Sequence, residues 1–205
     1  MRIVLASASP RRREIMNMAG YDFEVIPAKG EEIITSAIPS EVVQSLALKK
    51  AREVARASEA AGARGAAGAA DAAGESSTAQ TVYIGADTVV AAGGKILGKP
   101  ANTDDAYKMI SMISGGEHHV FTGVAIICGD EEVVFYEDTA VHITELSDEE
   151  IREYVESGEP MDKAGGYAIQ GIFGKYVTAI EGDFYNVVGL PIARLHRELK
   201  RFIRR

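Results

Sequence analysis

The chain of 205 residues has a single cysteine, so no disulfide framework can form within it. Cys128 sits in the apolar run VAIICG and reads as a small buried hydrophobe, not as a nucleophile. Long hydrophobic runs are missing too, and no stretch reaches the length of a membrane span. The opening residues, MRIVLASASPRRRE, meet arginines before an apolar run long enough for a secretory signal has formed, so a cytoplasmic location is expected. Basic residues are not in excess: 22 Lys and Arg face 30 Asp and Glu, for a net charge of −8. That balance argues against binding a nucleic-acid polymer, although one nucleotide could still occupy a local basic pocket. Familiar catalytic patterns are absent as well. The chain holds no GxxxxGK[ST] or GxGxxG phosphate loop and no GxSxG elbow. His118, His119, His142 and His196 show no metal-ligand spacing, which disfavours a Ser–His hydrolase or a histidine-bound zinc centre.

The composition that remains, 46% hydrophobic and 25% charged, is that of an ordinary globular protein. One domain over residues 1–205 is expected, either undivided or as two lobes sharing a sheet. Arg2 to Ala6 reads as a short buried strand. Ser9 is the candidate N-cap, and Pro10 the first residue, of a helix running to about Ala19, with Gly20 as its stop. Phe23 to Ile26 reads as a second strand. A longer helix opens at Pro39-Ser40-Glu41, with Val42, Val43, Leu46, Ala47, Ala51 and Val54 on its apolar face. From about 57 to 80 the composition shifts to ASEAAGARGAAGAADAAGESSTAQ, which offers nothing large and apolar to a core; it reads as a solvated insertion or a frayed extension of the helix before it. Thr81 to Val90 is a strand broken at Gly85-Ala86-Asp87-Thr88, and Gly93-Gly94 is a hairpin turn back to Ile96. A helix capped at Asn102 or Thr103 runs to Ile113. Long strands follow at His118 to Cys128 and Glu132 to Ile143, then a capping box at Ser147 to Glu150. A hairpin of Lys175 to Ile180 with Phe184 to Val188, and a terminal helix after Pro191, complete an α/β pattern with a mixed sheet.

Six segments could carry chemistry. Ser7-Ala8-Ser9-Pro10-Arg11-Arg12-Arg13 joins a strand to a helix N-terminus, where free N–H groups and guanidiniums suit phosphate oxygens. The plain alternative is a capped helix with a solvated basic turn. Asp87 lies within an apolar strand, which is costly unless the carboxylate is paired, metal-bound or at a strand end facing a cleft. The segment 161–171, MDKAGGYAIQG, has no helical or strand period; its glycines allow close backbone approach, and Asp162, Lys163 and Gln170 supply charge and an amide. Lys99-Pro100, Glu31-Glu32 and Lys49-Lys50 are each weak alone, and the paired lysines read first as a solvated face.

In order, LASASPRR (5–12), Glu31-Glu32, LALKKAR (46–52), GADT (85–88), LGKP (97–100), EPMDKAGGYAIQG (159–171) and VVGLP (187–191) resemble the Maf family of nucleotide pyrophosphatases. The resemblance covers nearly everything except the insertion. It implies a long mixed β-sheet with helices and two lobes flanking a central cleft, a fold like that of inosine triphosphate pyrophosphatases. It implies hydrolysis of dTTP and UTP to the monophosphate and pyrophosphate with Mg²⁺ or Mn²⁺, and a role in nucleotide-pool sanitation and division arrest. By the same resemblance Asp87 is the proton acceptor, and Arg12, Thr88 and Gln170 govern substrate choice. Ser7, Arg11, Arg12, Lys50 and Lys99 hold phosphates, Asp162 and Lys163 are further cleft residues, and Glu32 and Asp87 bind the metal. Whether Asp87 is chiefly base or metal ligand stays open, as does a homodimer. The usual alanine and glycine around the tyrosine are exchanged here, giving Gly166-Tyr167-Ala168. A rival is a nucleotide-binding regulator without turnover, which would not need both acids and the lysines.

Overall fold

The computed structural model describes residues 1–67 and 80–203. Strand β1 (Arg2–Leu5), helix α1 (Pro10–Met18) and strand β2 (Glu24–Val25) form a parallel βαβ unit at one edge of a seven-stranded sheet. Helix α2 (Pro39–Ala67) then leads to β3 (Thr81–Ala92), which pairs parallel with β1. Strand β4 (Lys95–Leu97) returns as a hairpin on β3, with Gly93 and Gly94 at φ 56° and 73°, the left-handed pair a tight hairpin needs. Helix α3 (Thr103–Ile113) follows, then the long antiparallel strands β5 (Glu117–Cys128) and β6 (Glu131–Ile143). Helix α4 (Asp148–Glu156) is opened by the full Ser147/Glu150 capping box. Two single turns of 3₁₀ helix, Glu159–Asp162 and Ala164–Gly166, carry the glycine-rich segment, and a third spans Ile172–Tyr176. Strand β7 (Val177–Glu181), helix α5 (Phe184–Val188) and helix α6 (Ile192–Ile203) complete the described chain. The sheet order is β2-β1-β3-β5-β6-β7, with β4 on β3. No helix among the described residues is long and apolar enough to cross a membrane.

The parallel part and the antiparallel part meet on β3, and that junction makes the cleft. Strand β5 occupies one edge of β3 from Tyr83 to Ala91. The other edge is divided: β1 takes Thr81 to Ile84 and β4 takes Val90 to Ala92. The stretch between, Gly85 to Val89, has no strand beside it on that edge. Apolar packing follows the same division. One cluster joins α1 and α6 to β1, β3 and β5 through Leu5, Met16, Ile84, Ile126 and Leu195. Another gathers α3, α4 and the 3₁₀ turns around Ile110, Tyr154, Phe173 and Tyr176.

Several expectations are corrected. Residues 85–88 do not break β3, because Gly85 serves helix packing and not a turn. A Cβ there would lie 2.1 Å from the Ala47 carbonyl oxygen, and one on Gly123 of the adjacent strand β5 would lie 2.4 Å from the Val43 backbone. The two glycines let the backbone of α2 rest directly on the sheet. Asp87 is therefore mid-strand, opposite Gly123, and not at a strand end. The segment 184–188 is helix α5 instead of a strand, since the Asp183 carboxylate caps it by accepting from the Tyr185 N–H at 2.8 Å. Ser9 occupies the N-cap of α1 without a side-chain cap bond; its own N–H donates to Ser7 Oγ at 3.3 Å. The segment from 57 does extend the helix before it, as one of its two readings had it: α2 continues to Ala67, and residues 68–79 lie outside the described residues.

Candidate active site

The cleft at the β1/β4 gap encloses about 640 Å³ and is lined by the first turn of α1, one face of α2, mid-β3, the Gly98-Lys99 corner, residues 167–170 and Gly189. Its charged heart is a lysine between two acids. Leu46 and Lys50 are four residues apart on α2, so the face that buries Leu46 against Val89 also points Lys50 at the strand. Lys50 Nζ lies 2.6 Å from Asp87 Oδ1 and 2.7 Å from Glu32 Oε1. With its side chain only 16% exposed, Lys50 is not on the solvated face expected of the pair Lys49-Lys50. Lys49 does face outward, donating to the Glu31 carbonyl.

The two acids sharing this ammonium are driven apart. Burial raises the Asp87 carboxyl above its ordinary range, with Lys50 and Arg12 pulling the other way. Glu32, whose side chain is exposed, is held below its ordinary range by its hydrogen bond to Lys50, with Lys99 and Arg12 adding to the effect. One carboxyl thus favours taking a proton while its neighbour stays ionised, the separation that assigns acid–base roles.

Arg12 is drawn into the protein. Its Nε donates to the Gly189 carbonyl at 2.8 Å and Nη2 to Thr88 Oγ1 at 3.0 Å. Nη1 donates to Ser7 Oγ at 3.1 Å and to the Ala86 carbonyl at 2.9 Å. Ala86 is in the unpaired stretch of β3, so the guanidinium satisfies a carbonyl that no strand reaches. Burial opposes its charge, and Asp87 is the leading compensation. Four of five N–H donors are committed within the protein, so Arg12 is a clasp between β3, α1 and the α5–α6 corner more than a free phosphate ligand. Arg11 lines the cleft at that end, and Arg13 is exposed outside it.

Ser7, Thr88, Lys99, Asp162 and Gln170 all line the cleft. Lys163 does not: its Nζ donates to the Glu159 carbonyl at 2.8 Å and to Asp162 Oδ1 at 2.6 Å, bracing the 3₁₀ turn from behind. The loop is further held by Tyr154, whose hydroxyl donates to the Gly166 carbonyl at 3.0 Å, and by Glu159, which accepts from the Ile172 N–H at 2.9 Å. Gly165, at φ 69°, donates its N–H to the Gly98 carbonyl at 2.9 Å, and a Cβ there would meet Val90 at 2.8 Å. Sequence reading missed Thr122 and Asn186, weighed His118 only as a metal ligand and held Gly189 only as part of the VVGLP motif. His118, 1% exposed, has its Nε2 2.6 Å from the hydroxyl of the cleft residue Tyr167. Thr122 and Asn186 are fully buried polar residues behind Thr88. Nothing in their local sequence marks them, because each owes its role to strands and helices far along the chain.

Comparison with known proteins identifies the family. The model of a family described as Maf-like protein matches residues 2–202. A dTTP/UTP pyrophosphatase of Agathobacter rectalis is 48% identical over 205 residues, covering 97% of this chain and 96% of that protein. Proteins of the same name from Bacillus cereus and Bacillus anthracis are each 46% identical over 202 residues, covering 98% of this chain and 95% of theirs.

Proposed function

This chain belongs to the Maf-like family, and from that premise we propose that it hydrolyses dTTP and UTP to the nucleoside monophosphate and pyrophosphate. The observation that carries the reading is the Glu32–Lys50–Asp87 group set in mid-β3, facing a cleft large enough for one nucleotide. Asp87 orients a water molecule toward the α-phosphorus and takes its proton as the new P–O bond forms. The bond from that phosphorus to the α–β bridging oxygen breaks, and pyrophosphate leaves. The raised Asp87 carboxyl suits proton acceptance better than an ordinary carboxylate would. Arg11, Lys99 and the N-terminal N–H groups of α1 meet the negative charge of the triphosphate, and Lys50 meets charge developing near Asp87.

A divalent cation fits the donors present. Lys50 engages Oε1 of Glu32 and Oδ1 of Asp87, leaving the second oxygen of each hard carboxylate outside that contact. The described residues contain no group of three or more metal-binding side chains. Two carboxylates completed by phosphate oxygens and water is how Mg²⁺ is commonly held with nucleotides. Glu32 and Asp87 would hold Mg²⁺ or Mn²⁺ here, and the bound ion supplies neutralisation of phosphate charge. A free cytoplasmic nucleotide, not a polymer, is the partner that a net charge of −8 around a local basic cleft supports.

Pyrophosphate release measured over a panel of nucleotides tests the proposal. UTP and dTTP should be turned over faster than ATP, GTP or 7-methyl-GTP, with activity lost in EDTA and restored by Mg²⁺ or Mn²⁺. Orthophosphate as first product would overturn α–β cleavage. Binding without turnover would leave only a regulator.

A further inference from the structure

Behind the cleft floor, a chain of buried hydroxyls runs through the sheet. Thr88 Oγ1 is 2.9 Å from Thr122 Oγ1 across the β3–β5 pair. Thr122 Oγ1 is in turn 2.9 Å from the backbone carbonyl of Asn186 in α5. Asn186 is clamped by its own side chain, whose Nδ2 donates to the Val120 carbonyl and to Thr139 Oγ1, each at 2.8 Å. Thr122 and Asn186 are 0% exposed, so no bulk water can substitute for any of these partners.

Counting hydrogens sets the direction of this chain. A hydroxyl has one hydrogen to give, and a backbone carbonyl can only accept. The Thr122 hydrogen is therefore spent on Asn186. The contact between Thr88 and Thr122 is then a hydrogen bond only if Thr88 donates. Arg12 Nη2, which can only donate, already gives one hydrogen to Thr88 Oγ1. Thr88 lines the cleft with its hydrogen turned inward and a lone pair remaining. Beside it, Arg12 keeps one uncommitted N–H. Gly189, at φ 122°, places no side chain over the pair; a Cβ there would sit 3.5 Å from Thr88 Oγ1.

We infer that Thr122 and the Asn186 carbonyl act as positioning groups that fix Thr88 as an acceptor toward the cleft, so that the cleft selects a ligand presenting an N–H next to an acceptor. This rests on the pyrimidine triphosphatase reading above and names how that site discriminates. Gln170, Ala168 and Val187 line the same cleft as Thr88 and Arg12. Within it, the Thr88–Arg12 pair sets an acceptor beside a donor, the pattern that reads a base edge. Uracil and thymine offer N3–H flanked by a carbonyl, matching the Thr88 lone pair and the Arg12 N–H. Cytosine offers an acceptor at N3 and would set one lone pair against another.

The test compares kcat/KM for UTP and CTP. In Thr122→Val the shape is kept but the Thr88 hydrogen loses its inward partner and can turn to the cleft. The UTP:CTP ratio should fall by about tenfold, the scale of one mispaired buried hydrogen bond. Thr122→Ser keeps the hydroxyl and should keep the ratio. If Thr122→Val does not fold, Thr122→Cys, a much weaker donor and acceptor, should lower the ratio in its place. An unchanged ratio in the folded Val or Cys variant, or an equal fall in Ser, would overturn the inference. So would wild-type enzyme that cleaves UTP and CTP equally, which leaves the activity itself standing. Absence of pyrophosphate from both UTP and dTTP would instead overturn the proposed function.

Discussion

Asp87 shows how one residue trades stability for chemistry. Its carboxyl sits where burial outweighs the attraction of Lys50 and Arg12, so the folded protein resists ionising it. A carboxyl whose folded pKa is raised contributes stability at low pH that is lost as pH rises through that pKa. Asp87→Asn should therefore melt no lower than the parent near neutral pH, while pyrophosphate release falls by about 10²–10⁴-fold, as for loss of a general base. In the parent, kcat/KM should decline with falling pH through a value above the usual aspartate range. A variant with parent-like turnover would remove Asp87 from its role. His118 behaves in the opposite sense. Burial pushes its pKa down to about 4, with His119 and His142 adding to the depression. The unfolded chain takes up the proton first, near an ordinary histidine pKa of about 6.5. Stability is thus lost as pH falls below that value and levels off below the folded value, a loss of about 3 kcal/mol. Urea midpoints measured from pH 7 to 4 should show this slope, and His118→Gln should flatten it.

At the scale of elements, the decisive contact is α2 on the sheet. Its apolar face, Val42, Val43, Leu46, Ala47, Ala51 and Val54, is buried throughout, as its helical spacing requires. What sets the distance between helix and sheet is the absence of side chains at Gly85 and Gly123. Gly123→Ala would force its methyl into the Val43 backbone, which cannot move as a flexible side chain would. The expected cost is about 1–3 kcal/mol, read as a lower urea midpoint. Because α2 also carries Lys50, the same variant should lose activity out of proportion to its folded fraction at assay temperature. Gly20→Ala bears on a different physical cause. No atom lies within 4 Å of a Cβ there, yet φ is 76°, so its cost comes from backbone strain after α1 and activity should survive.

For the whole molecule, the cleft lies where two apolar clusters meet along β3, one taking Val82, Ile84 and Ala86 and the other Val90 and Ala92. A nucleotide held by α1 and α2 on one side and by residues 167–170 on the other would bridge them. The inactive Asp87→Asn protein should consequently melt higher with UTP than without. At a ligand concentration a hundredfold above Kd the gain is about 2.7 kcal/mol. ATP at the same concentration should give a smaller shift, measurable by scanning fluorimetry. Equal shifts for both would place selectivity in the chemical step instead of binding.

The sequence by itself determined whatever depends on neighbours along the chain. The α1 start at Pro10, the capping box at Ser147–Glu150 and the Gly93-Gly94 turn were legible because caps and turns are satisfied within a few residues. The apolar face of α2 was legible because a helix repeats its period whatever it packs against. The motif order carried Asp87, Arg12 and Thr88 into one family and hence one cleft. Tertiary structure decided the rest, because it turns on distant partners. Gly85 looked like a strand break until Ala47 was found against it, and 184–188 looked like a strand until Asp183 capped it as a helix. The residue pattern alone leaves Lys50 solvent-facing, the family motif puts it in the cleft, and only the packing of α2 sets it between Asp87 and Glu32; Lys163, a cleft residue by motif, turns to Glu159. The clasp of Arg12 and the direction of the Thr88–Thr122–Asn186 chain join residues up to 177 positions apart. Hydrogen bonds over such separations leave no local pattern, since any of many residues could have supplied the donor and only the fold selects which one does.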